Sequence, residues 1–459
     1  MDFITAVVLA AGKGLRMKSS LPKVLHPLLN RSMLAYVLQA ARESGAREQI
    51  VVTGYEGQMV RAAVEALPGA ADCRFATQEP QLGTGHALQT AMPGVNSACD
   101  CLLVLCGDTP LLSAATLSAF LRHFAASGAA AALLSCILPE PYGYGRVIRG
   151  ENGELLGIVE EKDATAAQKA IREINSGIYC FAPGPLRQAL AMLTNDNAQG
   201  EYYLTDTIAA LRRQGWPLEA VCLADAAEIT GINDRVQLSA AGQLMQRRIN
   251  QAWMLAGVTI IDPGSAYIDA DVSIGADTVI EPQTYIRAGS SIGCGCRIGV
   301  GTEIAASRLG NGVYTRHAII DESEIGDNCQ IGPFTRIRPG SKLAANVKAG
   351  HFVELKKAEI GAGSKIPHLS YVGDAIIGSG VNIGCGSITC NYDGKHKYST
   401  VIGDDAFIGS NTNFVAPVYV GARAVIGAGS TITGDVPDDA LAIARAKQVN
   451  KLDYNLRKK

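Results

Sequence analysis

The sequence predicts two architectures in one chain: an α/β domain with a mixed, mostly parallel sheet, then a parallel β-helix, joined by one long helix. Three observations predict this fold. Short apolar runs alternate with helical patterns as far as about residue 230, an unbroken helical pattern covers 234–256, and beyond 257 an aliphatic side chain recurs every six residues. The predicted parts are a domain over 1–232, a linking helix over 233–256, a β-helix over 257–440 and a basic tail over 441–459.

Four apolar runs in the first domain predict buried strands, over 3–9, 49–52, 101–105 and 130–137. The segments 34–44 and 57–67 lie between them and show helical periodicity. Alternation of strands and helices is typical of a parallel sheet that is covered on both faces. Because ligands bind such sheets at the carboxyl ends of the strands, we expect a site there.

The linking helix is predicted because the segment 234–256 contains no Pro and carries apolar residues at helical spacing. These residues are Val236, Leu244, Met245, Ile249 and Trp253. Gly257 follows the segment and is the kind of residue that ends a helix.

The β-helix is predicted from the six-residue period itself. The period is occupied by Ile268, Ile274, Ile280, Ile286, Ile292 and Ile298, then Ile325, Ile331, Ile337 and Leu343, then Ile360, Ile366 and Val372, and finally Ile402, Ile408, Phe414, Val420, Ile426 and Ile432. One aliphatic side chain per repeat points into the coil, and small residues or Gly form the corners. Residues 388–401 break the period with a polar, basic and aromatic insertion, and solenoids commonly use such loops for binding.

Composition excludes several classes of function. The chain has 459 residues with 47% hydrophobic side chains, and its net charge of −2 argues against a nucleic-acid or membrane-surface partner. The N-terminus lacks a basic leader and a cleavage site, and no run approaches ~20 apolar residues, so we expect a cytoplasmic protein. The twelve Cys show neither disulfide-framework nor zinc-site spacing and are expected to be free thiols.

A glycine-rich loop with cations follows the first strand, in LAAGKGLRM over 9–17. Its glycines let the backbone approach a phosphate, while Lys13 and Arg16 neutralise the charge and Lys23 adds a third cation. The glycine spacing is neither the dinucleotide fingerprint nor a Walker loop. Asp108 ends an apolar strand, where a hard oxygen ligand suits Mg²⁺, and Asn233 is the second candidate ligand.

With PK at 22–23, this loop resembles that of the sugar-1-phosphate nucleotidyltransferases, a Rossmann-like family. Further motifs follow in the family's order: Gln78 in ATQEPQ, LGTGHA over 82–87, CGD over 106–108, YGR over 144–146, Glu160 in IVEEKDA, Asn175 in INSGI and Asn233 in GINDR. Cys106 departs from the family, in which Tyr is common before the Gly-Asp pair.

The resemblance implies that a sugar-1-phosphate oxygen attacks the α-phosphorus of a nucleoside triphosphate and expels pyrophosphate. Because the two anions repel, cations and a divalent metal have to screen them. The implied catalytic residues are Arg16 and Lys23, the implied metal ligands are Asp108 and Asn233, and the implied nucleotide- and sugar-binding set is Leu9, Gly12, Lys13, Gly14, Lys23, Gln78, Gly83, Thr84, Gly145, Glu160, Asn175 and Asn233. Within it Gln78 and Gly83 would read uracil, and Gly145, Glu160 and Asn175 would hold an acetamido sugar. The structural alternative is that Asp108 caps a turn and Asn233 caps the linking helix.

A second group of candidates lies where the six-residue period is disturbed: Arg338, Lys356, His368, Tyr371, Asn382, Asn391, Tyr392 and Lys397. From Lys356 to Tyr371 is about fifteen residues, close to one coil of three hexapeptides, so both residues are expected on neighbouring coils of one face. Acetylation of an amine needs a base such as His368, cations for a sugar phosphate and a backbone N–H for the oxyanion, for which the chain around Cys385 is a candidate. Glu354 is a candidate to orient His368.

Other interpretations of the same residues stay open. His317, His351 and His368 could form a zinc site between subunits, although the expected H-x₄-H spacing is missing. Lysines and arginines on a coil are commonly solvated, and Tyr371 could serve only in packing.

The motifs VELKK, HLSYVGD, VNIGCGSITCNYDGK and IGSNT extend the resemblance to the whole chain. It resembles the bacterial bifunctional family that combines N-acetylglucosamine-1-phosphate uridyltransferase with glucosamine-1-phosphate N-acetyltransferase. The resemblance implies a left-handed β-helix, a homotrimer, Mg²⁺, and UTP and acetyl-CoA as co-substrates. It also implies UDP-N-acetylglucosamine, a precursor of bacterial peptidoglycan and lipopolysaccharide, as the product.

The residue roles implied for the β-helix follow from these motifs. His368 would be the base, the sugar phosphate would contact Arg338, Lys356, Tyr371, Asn382 and Lys397, and acetyl-CoA would contact Cys385, Asn391, Tyr392, Ser410, Ala428 and Arg445. Cys385 stands where the family has Ala, which matters little if only its backbone is used.

Two other functions compete with this interpretation. The first is a nucleotidyltransferase with a single activity whose β-helix only regulates or oligomerises, as in ADP-glucose pyrophosphorylases. The second is a trimeric scaffold with an inactive first domain. The cluster around His368 argues against the first alternative, and the intact Lys13, Arg16, Lys23 and Asp108 argue against the second.

Overall fold

A computed structural model describes residues 3–456 of the chain. The described chain divides into two compact units after Met245. That division falls inside the long helix, and the domain limits predicted above remain predictions. The last residues of the predicted basic tail, Arg457 to Lys459, lie outside the described residues. No helix in the described range is long and apolar enough to cross a lipid bilayer.

The first unit alternates strands and helices as predicted. Its strands are β1 (Ile4–Leu9), β2 (Pro27–Leu28), β3 (Arg31–Ser32), β4 (Ala46–Thr53), β5 (Cys73–Thr77), β6 (Cys101–Cys106), β7 (Ala131–Ile137), β8 (Arg146–Arg149), β9 (Leu155–Val159), β10 (Glu173–Phe181) and β11 (Leu218–Leu223). Its helices are α1 (Met33–Glu43), α2 (Gly57–Glu65), α3 (Thr84–Ala91), α4 (Ala114–Ser127), α5 (Ala166–Lys169), α6 (Pro183–Ala191) and α7 (Asp206–Arg213), and α8 (Arg235–Leu255) follows them. The four predicted strands, the two predicted helices and the long helix are all confirmed, with limits that differ by one to three residues.

The main sheet of this unit is mixed and mostly parallel, with the strand order β11-β7-β10-β6-β1-β4-β5. Strand β1 pairs in parallel with β4 and β6, whereas β10 runs antiparallel to both β6 and β7. Its central strands are apolar on both sides, and Val7, Val104 and Leu133 are fully buried. That burial explains why they read as continuous hydrophobic runs in the sequence. The carboxyl ends of β1 and β6 therefore open side by side.

The second unit is a parallel β-helix, which confirms the predicted fold class. Its strands are β12 (Thr259–Ile260), β13 (Tyr267–Ile268), β14 (Ser273–Ile274), β15 (Val279–Ile280), β16 (Tyr285–Ile286), β17 (Ser291–Ile292), β18 (Arg297–Ile298), β19 (Glu303–Ala305), β20 (Arg308–Leu309), β21 (Tyr314–Thr315), β22 (Ala318–Asp321), β23 (Glu324–Ile325), β24 (Gln330–Ile331), β25 (Thr335–Arg338), β26 (Lys342–Leu343), β27 (Lys348–Ile360), β28 (Lys365–Ile377), β29 (Asn382–Ile383), β30 (Ile388–Cys390), β31 (Thr400–Ile402), β32 (Phe407–Ile408), β33 (Asn413–Val415), β34 (Val418–Val420), β35 (Val425–Ile426), β36 (Thr431–Ile432) and β37 (Leu441–Ala442). From β12 to β24 and again from β28 to β33, each strand pairs with the third strand after it, so a coil contains three strands. The long strands β27 and β28 pair with each other, and β27 also pairs with β24, β25 and β26.

Every residue that occupies the predicted six-residue period is buried in one continuous core. The period breaks where the coils change length. Ile280 pairs with Ile298, whereas Ile304 pairs with Ile320, two residues nearer in sequence. The period fails again because Ile377 pairs with Ile402, which leaves room for an expelled loop between β30 and β31. This loop is the predicted insertion, reduced to 391–399 because both of its ends belong to strands.

Candidate active sites

The loop after β1 brings a lysine against the sheet. Gly14 has φ +58, and a Cβ atom at this position would lie 2.5 Å from Cβ of Lys23. Only glycine combines this conformation with this close approach. The loop therefore folds onto the turn that carries Lys23, while Lys13 and Arg16 remain exposed.

A cleft of about 430 Å³ opens at the carboxyl ends of β1 and β6. Eight of the residues predicted from sequence line it: Leu9, Gly12, Lys13, Lys23, Gln78, Gly83, Thr84 and Asp108. Cys106 and Glu201 line it as well. Gly83 is required by geometry, since a Cβ atom there would lie 2.7 Å from the carbonyl oxygen of Tyr202. The structure thus assembles most of the predicted nucleotide-binding set in one cavity.

Charged groups converge at one end of the cleft. Lys23 Nζ forms an ion pair with Asp108 and donates a hydrogen bond to Asn233 Oδ1 at 2.9 Å. Arg16 Nη2 donates to the same Asn233 oxygen, also at 2.9 Å. The backbone N–H of Ile232 donates to the Asp108 carbonyl at 2.9 Å, which fixes the two acceptors next to each other. All four residues predicted for catalysis and metal binding in this unit are therefore neighbours.

The structural alternative for Asn233 is wrong, because Asp234 caps α8. The Asp234 carboxylate accepts a hydrogen bond from the backbone N–H of Gln237 at 2.8 Å, and the Gln237 side chain accepts one from the backbone N–H of Asn233 at 2.7 Å. This reciprocal arrangement satisfies the first turn of the helix. The side-chain oxygen of Asn233 is therefore available to accept hydrogen bonds from Arg16 and Lys23.

The oxygens of Asp108 and Asn233 suit a hard divalent cation. Both oxygens already contact a positive charge, the ammonium group of Lys23. A site that stabilises one cation between a carboxylate and an amide oxygen has the donor chemistry that Mg²⁺ requires. The residues present therefore fit the metal that the sequence predicted.

The three residues predicted to hold a sugar lie together, with Gly145 just before β8, Glu160 just after β9 and Asn175 on β10. The backbone N–H of Asn175 on β10 donates to the Gly145 carbonyl at 2.9 Å. A Cβ atom at Gly145 would lie 3.4 Å from Glu160 Oε2, so the glycine makes room for this carboxylate. Burial raises the pKa of Glu160, and Asp206, Asp163 and Glu201 act in the same direction against a hydrogen bond from Thr205.

One buried charge that sequence reasoning did not identify supports this second group. Arg146 is only 2% exposed, forms an ion pair with Glu161 at 2.8 Å and donates to the carbonyls of Tyr144 and Ile171. Its guanidinium therefore joins the Gly145 turn to the chain that leads into β10. The YGR motif was the available signal, but an arginine in a strand reads as exposed.

Cys106 lies between the two groups. Its thiol donates to the Gly177 carbonyl at 3.6 Å, and the Gly177 N–H donates to Asn175 Oδ1 at 3.0 Å. Burial raises the pKa of Cys106 to about 12, and the charge of Asp108 adds to the effect against that of Lys23. The side chain that departs from the family is thus a neutral thiol on the floor of the cleft.

One corner of the β-helix gathers His368 and three of the residues predicted for acetyl-CoA. His351 pairs with His368 across β27 and β28, and the two rings stack 5.7 Å apart. On the next coil the Gly386 N–H donates to the carbonyl of Leu369, which places Cys385 beside His368. Ser410 and Ala428 continue the line, because the Asn411 N–H donates to the Cys385 carbonyl and the Gly429 N–H to that of Ser410. We call His368, Cys385, Ser410 and Ala428 the corner column.

Arg445 follows at the end of this corner column. A Cβ atom at Gly429 would lie 3.8 Å from Cδ of Arg445. All residues of the corner column and Arg445 are exposed. An extended ligand could therefore contact all of them from one side.

The cations predicted for the sugar phosphate lie on the adjoining face. Lys356 Nζ bonds to Asp374 Oδ2 at 2.8 Å, and Asn391 Nδ2 donates to the same oxygen. Tyr371 Oη lies 3.5 Å from Asn391 Nδ2. Asp374, which sequence reasoning did not identify, is therefore the hub of this group. The predicted placement of Lys356 and Tyr371 on neighbouring coils is confirmed, since Lys356 pairs with Gly373, two residues beyond Tyr371.

The charged residues of this group shift one another's pKa values. The hydrogen bond to Asp374 raises the pKa of Lys356. Burial alone would raise the pKa of Asp374, but the hydrogen bonds from Lys356 and Asn391 lower it. The proximity of Lys356 lowers the pKa of the exposed Lys397 in the loop 391–399. Lys356 bonds to the Asp374 carboxylate and Lys397 lies close to Lys356, so two ammonium groups face one carboxylate and leave excess positive charge for an anion.

The remaining predicted residues make other contacts. Arg338 pairs with Lys356 across β25 and β27 and donates to Glu354 at 2.9 Å, so Glu354 is engaged by Arg338. Asn382 lies on β29 beside Lys365 and Phe407. Tyr392 is exposed in the loop and donates to the Gly394 carbonyl at 2.7 Å.

Comparison with known proteins matches both units to transferase families. The MobA-like NTP transferase domain matches residues 6–173, and the bacterial transferase hexapeptide (six repeats) matches residues 399–434. The GMPPB C-terminal domain matches residues 263–351.

Three relatives match the chain from end to end, each named bifunctional protein GlmU. That of Heliobacterium modesticaldum is 53% identical over 99% of this chain and 98% of its own. That of Carboxydothermus hydrogenoformans is 50% identical over 98% and 99%, and that of Geotalea uraniireducens is 49% identical over both chains in full. The chain belongs to the GlmU family. As a GlmU protein it is a bifunctional enzyme, so the predicted uridylyl transfer and acetyl transfer are both confirmed.

Membership of the GlmU family also decides between the alternatives left open by the sequence. A nucleotidyltransferase with one activity and an inactive scaffold both disagree with a bifunctional family. The GlmU match identifies a nucleotide and an acyl-CoA as the classes of substrate.

Proposed function

We propose that the cleft of the first unit joins UTP to N-acetylglucosamine-1-phosphate. The phosphate oxygen of the sugar attacks the α-phosphorus of UTP, a new P–O bond forms, and the bond to pyrophosphate breaks. Lys13, Arg16 and Lys23 neutralise the triphosphate and the charge that develops in the transition state. The convergence of Lys23 and Arg16 on Asn233 beside Asp108 supports this assignment.

Asp108 and Asn233 are the proposed ligands of Mg²⁺. When bound there, the ion supplies a positive charge that screens the phosphate oxygens of both substrates. The ion pair with Lys23 keeps the Asp108 carboxylate oriented towards the cleft before substrates arrive. The hydrogen bonds of Asn233 do the same for its amide oxygen.

The sugar end is proposed to be Gly145, Glu160 and Asn175. A carboxylate accepts hydrogen bonds from sugar hydroxyls, and an asparagine amide can pair with an acetamido group. The acidic surroundings of Glu160 argue against an anion there, so the phosphate points towards the cations at the other end. This orientation brings the attacking oxygen to the triphosphate.

In the second unit we assign His368 as the base of acetyl transfer. It removes a proton from the glucosamine nitrogen, the nitrogen attacks the acetyl carbonyl, and the carbon–sulfur bond of acetyl-CoA breaks to release the CoA thiol. The backbone at Cys385 is the proposed donor to the oxyanion, and Asn391, Tyr392, Ser410, Ala428 and Arg445 are the proposed contacts of CoA. The single observation that supports this assignment is the corner column, in which His368, Cys385, Ser410 and Ala428 occupy one corner on successive coils.

The sugar phosphate is proposed to bind Arg338, Lys356, Tyr371, Asn382 and Lys397. Support comes from the cluster of Lys356, Lys397 and Asn391 around Asp374, three residues beyond Tyr371. Asn382 lies on another face of the same chain. It joins the site only if a second subunit contributes to it.

We propose that the enzyme is a homotrimer. Hexapeptide repeats suggest an oligomer. A ridge of mostly exposed side chains runs along the corner that also carries His368. It comprises the half-buried His317 and the exposed Phe334, Phe352 and Leu369, and we call it the aromatic ridge. Phe334, Phe352 and Leu369 are 56%, 60% and 61% exposed, and an apolar ridge of this kind is typical of a surface that a partner covers. We also propose a cytoplasmic location, where UTP and acetyl-CoA are available.

The two assignments are tested together by a pair of variants. Asp108→Ala is expected to abolish uridylyl transfer and to leave acetyl transfer near normal, whereas His368→Ala lowers acetyl transfer by roughly 10²- to 10⁴-fold and spares uridylyl transfer. The measurements are pyrophosphate release from UTP, and thiol release from acetyl-CoA that depends on glucosamine-1-phosphate. Each variant serves as the folding control for the other. Loss of both activities in one folded variant would contradict the division of labour, and an unchanged acetylation rate would remove His368 from its role.

A further inference from the structure

The side chain of Gln78 is held in one orientation at the wall of the nucleotide cleft. It is 4% exposed, and its Nε2 donates to the Gly83 carbonyl oxygen at 2.8 Å. A carbonyl oxygen can only accept a hydrogen bond, so the nitrogen end of the amide has to face Gly83. The Gly83 carbonyl also accepts from the Ala87 N–H in the first turn of α3, which fixes its own position.

A second acceptor engages the same nitrogen. Gln78 Nε2 lies 3.2 Å from His86 Nδ1. Because the two hydrogens of an amide nitrogen serve two acceptors, His86 has to offer the lone pair of Nδ1 and carry its own proton on Nε2. His86 lies on α3, where the backbone holds it in place. The centroids of its ring and of the Tyr202 ring are 6.4 Å apart.

With both amide hydrogens used, the group that Gln78 can present to a base is its carbonyl oxygen. Uracil has a donor at N3, whereas cytosine has a lone pair at that position. An oxygen fixed in the cleft matches the first and opposes the second. The orientation of one amide thus distinguishes the two pyrimidines.

We infer that His86 is a positioning residue for base selection: its Nδ1 lone pair holds the Gln78 amide with the oxygen towards the base, and so favours UTP over CTP. The inference rests on the proposed function, in which Gln78 contacts uracil. His86 itself does not touch the base in this account. Its effect is to restrict the Gln78 side chain to one orientation.

The test compares kcat/KM for UTP and for CTP in full-length variants, with pyrophosphate release as the readout. His86→Leu removes the acceptor, and we expect the UTP:CTP ratio to fall by about ten-fold, mainly through a higher KM for UTP. His86→Asn can place an amide oxygen where Nδ1 stood, so its ratio should stay within about three-fold of that of the parent enzyme. A merely structural role would lower kcat/KM for both nucleotides equally.

A control on the same helix separates packing from base selection. Gln89 also lies on α3 and donates to the Leu190 carbonyl at 2.8 Å, and Gln89→Leu should leave the ratio unchanged. Urea unfolding of each preparation reports whether the first unit is folded. An unchanged ratio in His86→Leu, or a ratio in His86→Asn as low as that in His86→Leu, overturns the inference.

The variant Gln78→Leu distinguishes this failure from that of the proposed function. If Gln78→Leu lowers the ratio and His86→Leu does not, the base contact stands and only the positioning role fails. If Gln78→Leu leaves the ratio unchanged, the proposed base contact itself fails, and the inference fails with it.

Discussion

Glu160 combines a proposed binding role with an unfavourable environment. Burial and the neighbouring carboxylates raise its pKa, and one hydrogen bond from Thr205 at 3.1 Å opposes them. A carboxyl group whose pKa is higher in the folded than in the unfolded state destabilises the folded state when it is ionised. The proposed sugar site therefore costs stability that a neutral side chain would restore.

We predict that Glu160→Gln raises the midpoint of thermal unfolding at neutral pH. The gain is fully present above the folded-state pKa, shrinks as the pH falls through it, and vanishes near the ordinary value of 4.5. The same change should raise KM for N-acetylglucosamine-1-phosphate by about ten-fold through a lost charged acceptor. Calorimetry from pH 4 to pH 8, paired with the kinetics, measures both effects. Glu151→Gln, at an exposed position, is the control, and a gain that grows towards low pH would contradict the prediction.

Single residues also mark the limit of what the sequence predicts. The cations and Asp108 were recognised because glycines and strand ends surround them in a known order. Arg146 and Asp374 were not, since a charged residue on a strand or coil reads as solvated until its neighbours are known. Both owe their importance to partners distant in sequence, Arg146 to the carbonyl of Ile171 and Asp374 to Lys356.

At the scale of elements, one buried arginine holds the sugar-binding strands together. Arg146 on β8 reaches Glu161 just beyond β9 and the chain that enters β10. Its planar guanidinium serves partners in several directions, which an ammonium group cannot do. The segments that carry Gly145, Glu160 and Asn175 are thus all held by the side chain of Arg146.

We predict that Arg146→Lys raises KM for N-acetylglucosamine-1-phosphate several-fold and leaves KM for UTP within about two-fold. It should lower the free energy of unfolding of the first unit by about 3 kcal/mol, because an ammonium group leaves carbonyl acceptors of the buried guanidinium unpaired. Steady-state kinetics and urea unfolding provide the measurements. Arg149→Lys is a matched control, because Arg149 lies on the same strand and pairs with Glu173 nearer the surface, where about 1 kcal/mol is expected. Equal losses for both variants would show that Arg146 has no special role.

Elements with a strong period were the most predictable part of the fold. The six-residue repeat determines which side chains enter the core, and all of them do. The coils around β19 and β20 are shorter, and the sequence does not announce this because a parallel ladder tolerates the change at a corner. The capping of α8 by Asp234 was missed for a similar reason, since two adjacent polar residues compete for one role.

At the scale of the whole molecule, the aromatic ridge indicates that a single chain lacks a partner to cover an apolar surface. His317, Phe334 and Phe352 stack in sequence at 5.2 and 5.3 Å, and Leu369 next to His368 extends the line. Such a surface in water is unfavourable unless a partner covers it. The sequence predicted the trimer only by resemblance, because six-residue periodicity reports the inside of a coil and not its outside.

We predict that Phe352→Glu lowers the molar mass measured by light scattering from that of a trimer towards that of one chain. Acetyl transfer should fall by at least ten-fold while uridylyl transfer stays within about two-fold, because the proposed acetyl site lies on the same corner. Trp216→Glu, an equally drastic change on the first unit, should leave mass and both activities unchanged. A trimer that persists in Phe352→Glu would show that the ridge is not its interface.

In the proposed acetyl-CoA site, the corner column would also measure the length of the ligand. Neighbouring coils of a β-helix are about 4.8 Å apart, so the path from His368 past Cys385, Ser410 and Ala428 to Arg445 is graduated in equal steps of that size. A flexible thioester bound along this path would have its reactive end at His368 and its distant charged end at Arg445, a fixed number of coils away. Whole coils could be added or removed without disturbing the core, and each would change the accepted arm length by one step. In the proposed site, the number of coils would therefore set the length of ligand that is accepted, independently of any single side chain.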